Sequence, residues 1–134
     1  MTMKPPAVSF DTMISRADDA VTTLSPGEVN EHLSREGVLL VDIRDVRELE
    51  REGRIPGSKH IPRGMLEFWM HPDSPYFKPY FEDANEVVLH CNRGWRSALA
   101  AKALLDIGID VAHMSGGYSE WVERDLPTEP YVKK

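Results

Sequence analysis

Residues 87–108 read V-V-L-H-C-N-R-G-W-R-S-A-L-A-A-K-A-L-L-D-I-G. The first four form an apolar run of the kind found in a parallel strand covered on both faces. From Ser97 onward, Leu99, Ala100, Ala103, Leu104 and Ile107 recur at helical spacing, and Gly108 is a natural stop. Val111-Ala112-His113-Met114 follows as a further short strand. Strand, loop, helix and strand in this order make a crossover unit, which predicts a parallel α/β sheet.

The rest of the chain fits that architecture. Val38-Leu39-Leu40-Val41-Asp42-Ile43 is a second buried strand, broken only by Asp42. Residues 21–24 read as a short strand. Ser25, Pro26 and Glu28 then form a capping box with proline at the first helical position, predicting a helix over 26–36 that ends at Gly37. Residues 54–64 suit a turn and a short edge strand near 59–61. Tyr118–Arg124 is a short helix that buries Trp121. Residues 65–81 hold six of the eleven aromatics together with three prolines, so they form a wall over a site, a docking surface or a satellite apolar cluster. Residues 1–20 read as an extension. A short helix over 11–20, capped by Asp11, would pack on the domain or serve a dimer contact. The expected organisation is therefore an extension (1–20), one domain (21–128) and a tail (129–134).

Composition narrows the function classes. The 134 residues are 41% apolar and 28% charged, with a net charge of −6. That balance disfavours nucleic acid and anionic membranes as partners. No apolar run approaches a membrane span. The N-terminal stretch has no apolar signal core, and Asp11, Asp18 and Asp19 argue against a transit peptide, so a cytoplasmic location is expected. Cys91 is the single cysteine, which excludes an internal disulfide, a Cys-x-x-Cys pair and a multi-cysteine zinc site. Thiol chemistry would have to run through Cys91 and finish on another molecule.

Cys91 lies just past a strand, where open α/β sheets bind ligands. The helix near Ser97 starts at once, and its first N–H groups have no carbonyl partners. Gly94 allows a tight path, so these donors can close into an anion-binding nest. Arg93 and Arg96 make this a basic loop in an acidic protein. Backbone donors, a helix N-terminus and arginines all favour thiolate over thiol, and a thiolate is a nucleophile. A buried structural thiol is the competing reading of an isolated cysteine. His90 and His113 are read as core or rim groups rather than metal ligands, and no metal or cofactor is expected.

Four motifs in order resemble the rhodanese family of single-domain sulfurtransferases. They are C-N-R-G-W-R-S at 91–97, L-V-D-I-R-D at 40–45 with Glu48, G-R-I-P-G-S at 53–58 followed by Ile61-Pro62, and M-S-G-G-Y-S-E-W at 114–121. The chain departs at Arg54, where the family usually has histidine, and Arg47 and Arg54 read as solvated charges. The resemblance implies a rhodanese-like three-layer fold with a central five-stranded, mostly parallel sheet flanked by helices. It implies that Cys91 takes a sulfane sulfur from thiosulfate or a related donor as a persulfide, and passes it to cyanide or a thiol, a protein acceptor included. Carried onto this chain, Asn92, Arg93, Gly94, Trp95, Arg96 and Ser97 hold donor or persulfide. Arg96 neutralises the anion, Arg93 stands at the mouth and Trp95 forms a wall. Asp42 braces the loop, and Arg44 either faces the pocket or pairs with Glu48. No general acid is evident within the loop, in keeping with thiolate attack on sulfur.

Two alternatives share the fold. A Cdc25-like phosphatase or arsenate reductase would use a loop one residue longer than the six residues from Cys91 to Arg96, so the shorter nest suits one sulfur better than a tetrahedral oxyanion. A non-catalytic partner-binding module would be expected to lack the cysteine. The chain is expected to be a monomer or homodimer.

Overall fold

The computed structural model describes residues 2–133. Its core is one sheet of five strands: β1 (Thr22–Leu24), β2 (Val38–Asp42), β3 (Lys59–His60), β4 (Glu86–His90) and β5 (Ala112–Met114). Their order is β1-β5-β4-β2-β3, and every pairing is parallel. All carboxyl ends therefore open on one edge, where Cys91 emerges from β4.

The β2–β4 register sets the two faces. Leu40 pairs with Val88 and Val41 with Leu89, and successive side chains point to opposite sides of a strand. Leu40 and Val88 join Leu24, Val29, Ile55, Ala112, Met114, Tyr118 and Trp121 in one apolar cluster. Val41 and Leu89 join Ile43, Ile61, Leu66, Cys91, Ala100, Ala101 and Leu104 in the other. Cys91 thus lies on the face covered by α5 (Trp95–Asp106), and His90 on the opposite face.

The capping box of Ser25 and Glu28 starts α2 (Pro26–His32) as expected. The helix stops earlier than residue 36. The Ser34 and Arg35 amides donate to Glu31 and His32, three residues back, and the Ser34 hydroxyl also donates to the Glu31 carbonyl, which tightens the chain into turns. Asp45 and Glu48 form a second capping box that opens α3 (Val46–Glu52). A five-residue helix, α4 (Leu66–Met70), buries Leu66 and Met70, and α6 (Gly117–Glu123) buries Trp121.

Four expectations are corrected here. The N-terminal helix α1 (Phe10–Ala20) is capped by Ser9 rather than Asp11: the Ser9 hydroxyl oxygen accepts from the Thr12 amide, and Asp11 falls in the first turn. This helix packs on α5. Ile107 is exposed, and the buried face of α5 is Ser97, Ala98, Ala100, Ala101 and Leu104. Arg54 is not solvated. Its guanidinium donates to the Ser58 carbonyl and lies near Glu129, whose backbone pairs with Arg54 through two hydrogen bonds. The aromatic stretch 65–81 does not wall the cysteine. Met70, Phe77 and Phe81 line a cleft with Val87 and Val111, at the amino ends of β4 and β5.

Candidate active site

The strand β4 carries Cys91 to the sheet edge, and Gly94 turns the chain back toward it. Gly94 has φ of 90°, a left-handed value that suits glycine. Its amide donates to Cys91 Sγ at 3.1 Å, and the Ser97 amide, in the first turn of α5, donates at 3.4 Å. Two N–H groups from a turn and a helix start thus converge on one sulfur. Cys91 is only 1% exposed. It lines a small pocket of about 200 Å³ together with Asn92, Arg93, Trp95 and Arg96. The structure brings the whole loop 91–97 around one point.

All the lining residues except Arg93 are held from outside the loop. Trp95 stacks edge-on with Phe10 of α1, with ring centroids 5.2 Å apart, and Arg93 lies over the Trp95 ring at 5.6 Å. The Arg96 fork donates to both Glu48 carboxylate oxygens, at 2.8 and 2.9 Å. Those hydrogen bonds hold the Glu48 carboxyl below its usual range and raise Arg96 further. The amides of Tyr118 and Ser119 donate to the carbonyls of Cys91 and Asn92. Gly117, with φ of 61°, makes this approach possible, because a Cβ there would strike the Asn92 and Cys91 carbonyls.

Asp42 and Arg44 depart from expectation. Arg44 neither faces the pocket nor meets Glu48. It is fully buried, donating to both Asp42 oxygens at 2.8–3.2 Å and to the Gly53 carbonyl at 2.8 Å, with its guanidinium 4.1 Å over the Tyr118 ring. Residues two apart on extended backbone share a side, so the two fold onto each other as β2 ends. Burial works against the Asp42 carboxylate, yet beside His90 and the Arg44 guanidinium its pKa ends below the ordinary value. Asp42 makes no hydrogen bond to the cysteine loop among the described residues. Its link to that loop is His90, whose Nε2 lies 3.6 Å away and whose Nδ1 approaches the Cys91 carbonyl at 3.3 Å.

Sequence reasoning missed a second line of contacts. The Cys91 thiol donates to Ser97 Oγ at 3.5 Å, Ser97 Oγ lies 3.0 Å from His113 Nδ1, and His113 Nε2 lies 2.8 Å from Asp18 Oδ1 of α1. Strand alternation offered a signal for His113. Ala112 and Met114 belong to one cluster and Val111 to the other, which aims His113 at α5. Nothing in sequence spacing ties Asp18 to residue 113.

Residues 25–124 match the family model described as the Rhodanese-like domain. The chain belongs to that family. A thiosulfate sulfurtransferase, GlpE, of Glaesserella parasuis is 27% identical over 84% of this chain and 96% of its own. Among solved structures, a Rhodopseudomonas palustris protein of unknown function, described as a possible tyrosine phosphatase, is 40% identical. It covers 96% of this chain and 100% of its own, with a TM-score of 0.88. The polysulfide-sulfur transferase homodimer of Wolinella succinogenes is 29% identical, with 90% and 86% covered and a TM-score of 0.67. Among the described residues, no helix is long and apolar enough to cross a membrane.

Proposed function

We propose that this rhodanese-like domain is a sulfurtransferase, moving a sulfane sulfur from thiosulfate or a related persulfide donor to cyanide or a thiol acceptor through Cys91. The carrying observation is the pair of backbone amides on Sγ of a cysteine that lines a small pocket. Donors placed there stabilise a thiolate on Cys91.

The thiolate attacks the outer sulfur of thiosulfate. A sulfur–sulfur bond forms as the donor's own sulfur–sulfur bond breaks, and sulfite leaves with the electron pair. Cyanide or a thiolate, free or on a protein, then attacks the outer persulfide sulfur, and the Cys91 thiolate departs. Arg96 attracts the donor's sulfonate, Arg93 draws it to the mouth, and Trp95 confines it. Asn92, Gly94 and Ser97 hold the loop closed around the transferred atom. Names given to relatives support this chemistry.

The test is intact mass after incubation with thiosulfate, followed by cyanide and a thiocyanate assay. The expected result is a gain of one sulfur atom that cyanide discharges, with both steps abolished in Cys91→Ala. No sulfur adduct, or turnover that survives Cys91→Ala, overturns the proposal. Hydrolysis of an aryl phosphate through Cys91 in place of sulfur uptake would instead make the protein a phosphatase.

A further inference from the structure

The contacts from Cys91 through Ser97 and His113 to Asp18 have a fixed direction. A carboxylate can only accept, so His113 Nε2 carries the hydrogen donated to Asp18. His113 Nδ1 is then a bare lone pair and accepts the Ser97 hydroxyl proton. That leaves a Ser97 Oγ lone pair facing the Cys91 S–H. Burial lowers the pKa of His113, with the Asp18 hydrogen bond and charge opposing it, so the ring rests neutral and able to accept. Of the groups around it, Asp18 comes from α1, Ser97 from α5, Thr23 from β1 and Leu89 from β4. Asp18 is the charged one, and Cys91 is reached only through Ser97.

We infer that Ser97 and His113, oriented by Asp18, form a relay that takes the proton from the Cys91 thiol and so generates the nucleophile. In the step the S–H bond breaks and an O–H bond forms on Ser97, while the original Ser97 O–H bond breaks and an N–H bond forms on His113 Nδ1. No electrons are gained or lost. The product is a thiolate that accepts from the Ser97 hydroxyl, and an imidazolium held against the Asp18 carboxylate. Asp18 is 41% exposed, so the far end of the relay opens to water. His113 and Asp18 are positioning residues, since neither touches the sulfur. The N-terminal helix thereby becomes part of the site, although it lies outside the 25–124 match.

The inference rests on Cys91 being the nucleophile, and its test needs no sulfur transfer. The thiolate is titrated by its ultraviolet absorbance in the full chain, with Cys91→Ser as the blank. The expected result is that Asp18→Asn moves the midpoint up by about one pH unit, roughly a tenfold loss of thiolate below it. The sign is diagnostic. Were Asp18 merely a nearby negative charge, removing it would ease ionisation and move the midpoint down. Ser97→Ala should also raise the midpoint, and in that background Asp18→Asn should add nothing, because the connection is already cut. A midpoint that stays or falls in Asp18→Asn, or shifts that add in the double variant, overturns the relay. The shifts appearing without thiosulfate turnover keep the relay and reject sulfur transfer; turnover without the shifts does the reverse.

Discussion

Two arginine–carboxylate pairs flank the cysteine loop, and they differ in almost everything but chemistry. Behind the loop, Arg44 and Asp42 are both 0% exposed and joined by three side-chain hydrogen bonds and one from the Arg44 amide. At the pocket rim, Arg96 and Glu48 are bidentate but 42% and 17% exposed. The sealed pair has no route to a ligand and every reason to stay closed, because an unpaired charge in the interior is costly. The rim pair is held by water-screened attraction and can exchange one anion for another. A site that binds an anionic donor needs both: a brace that cannot open, and an arginine that can.

The largest break in this comparison is Arg44→Ala. It strands the Asp42 carboxylate in the core, at a cost of about 3–5 kcal/mol, a large part of the ~5–15 kcal/mol of a typical domain. The expected outcome in denaturant melts is severe destabilisation and poor soluble yield. The double variant Asp42→Asn with Arg44→Met should lose less than Arg44→Ala alone, because no charge is left in the core; Glu52, the other carboxylate that Arg44 meets, is 39% exposed and stays in water. A melting midpoint unchanged in Arg44→Ala would mean that the pair is not the brace.

Arg96→Ala should behave in the opposite way. Hydrogen bonds to a charged group contribute about 1.5–3 kcal/mol when made, so kcat/KM for thiosulfate should fall about 10- to 100-fold. Stability should change far less than in Arg44→Ala, because the Arg96 side chain is 42% exposed and water screens the pair. Steady-state kinetics and a melt on the same sample check both. A large stability loss with unchanged KM would reverse the roles assigned to the two pairs.

How the pairs formed also shows what could be read from sequence. The strands, the α5 crossover and the cysteine loop were legible because each rests on local signals: apolar runs, a helical stripe, and Gly94 between Cys91 and Ser97. The arginine partners were not. Arg44 and Glu48 are four apart, the spacing of a helical ion pair, yet Asp45 caps α3 and leaves Arg44 outside the helix. The spacing therefore carries no facing, and Arg44 turns back to Asp42 while Glu48 meets Arg96, 48 positions away. The Asp18–His113 contact spans 95 positions and depends on how α1 lies across α5. Contacts of that kind follow from the assembled sheet and leave no periodicity to read.

The smallest expected effect asks whether Glu48 competes with the donor or merely aims Arg96. Glu48 Oε2 accepts from both the Asp45 amide and Arg96, and Oε1 accepts from Arg96 alone. In Glu48→Gln the side-chain carbonyl can still accept from the Asp45 amide and from one Arg96 N–H, but the amide NH₂ removes the second acceptor and the charge is gone. An exposed pair is worth about 0.2–1 kcal/mol. Loosening Arg96 should therefore lower KM for thiosulfate by at most about fivefold, with kcat unchanged and helix stability nearly so. The gain should shrink as salt is raised, since added ions screen the freed guanidinium from the incoming anion. A KM that rises instead would show that the carboxylate holds the arginine in its working pose. The rim pair would then be a second brace, different from the sealed one only in its exposure to water.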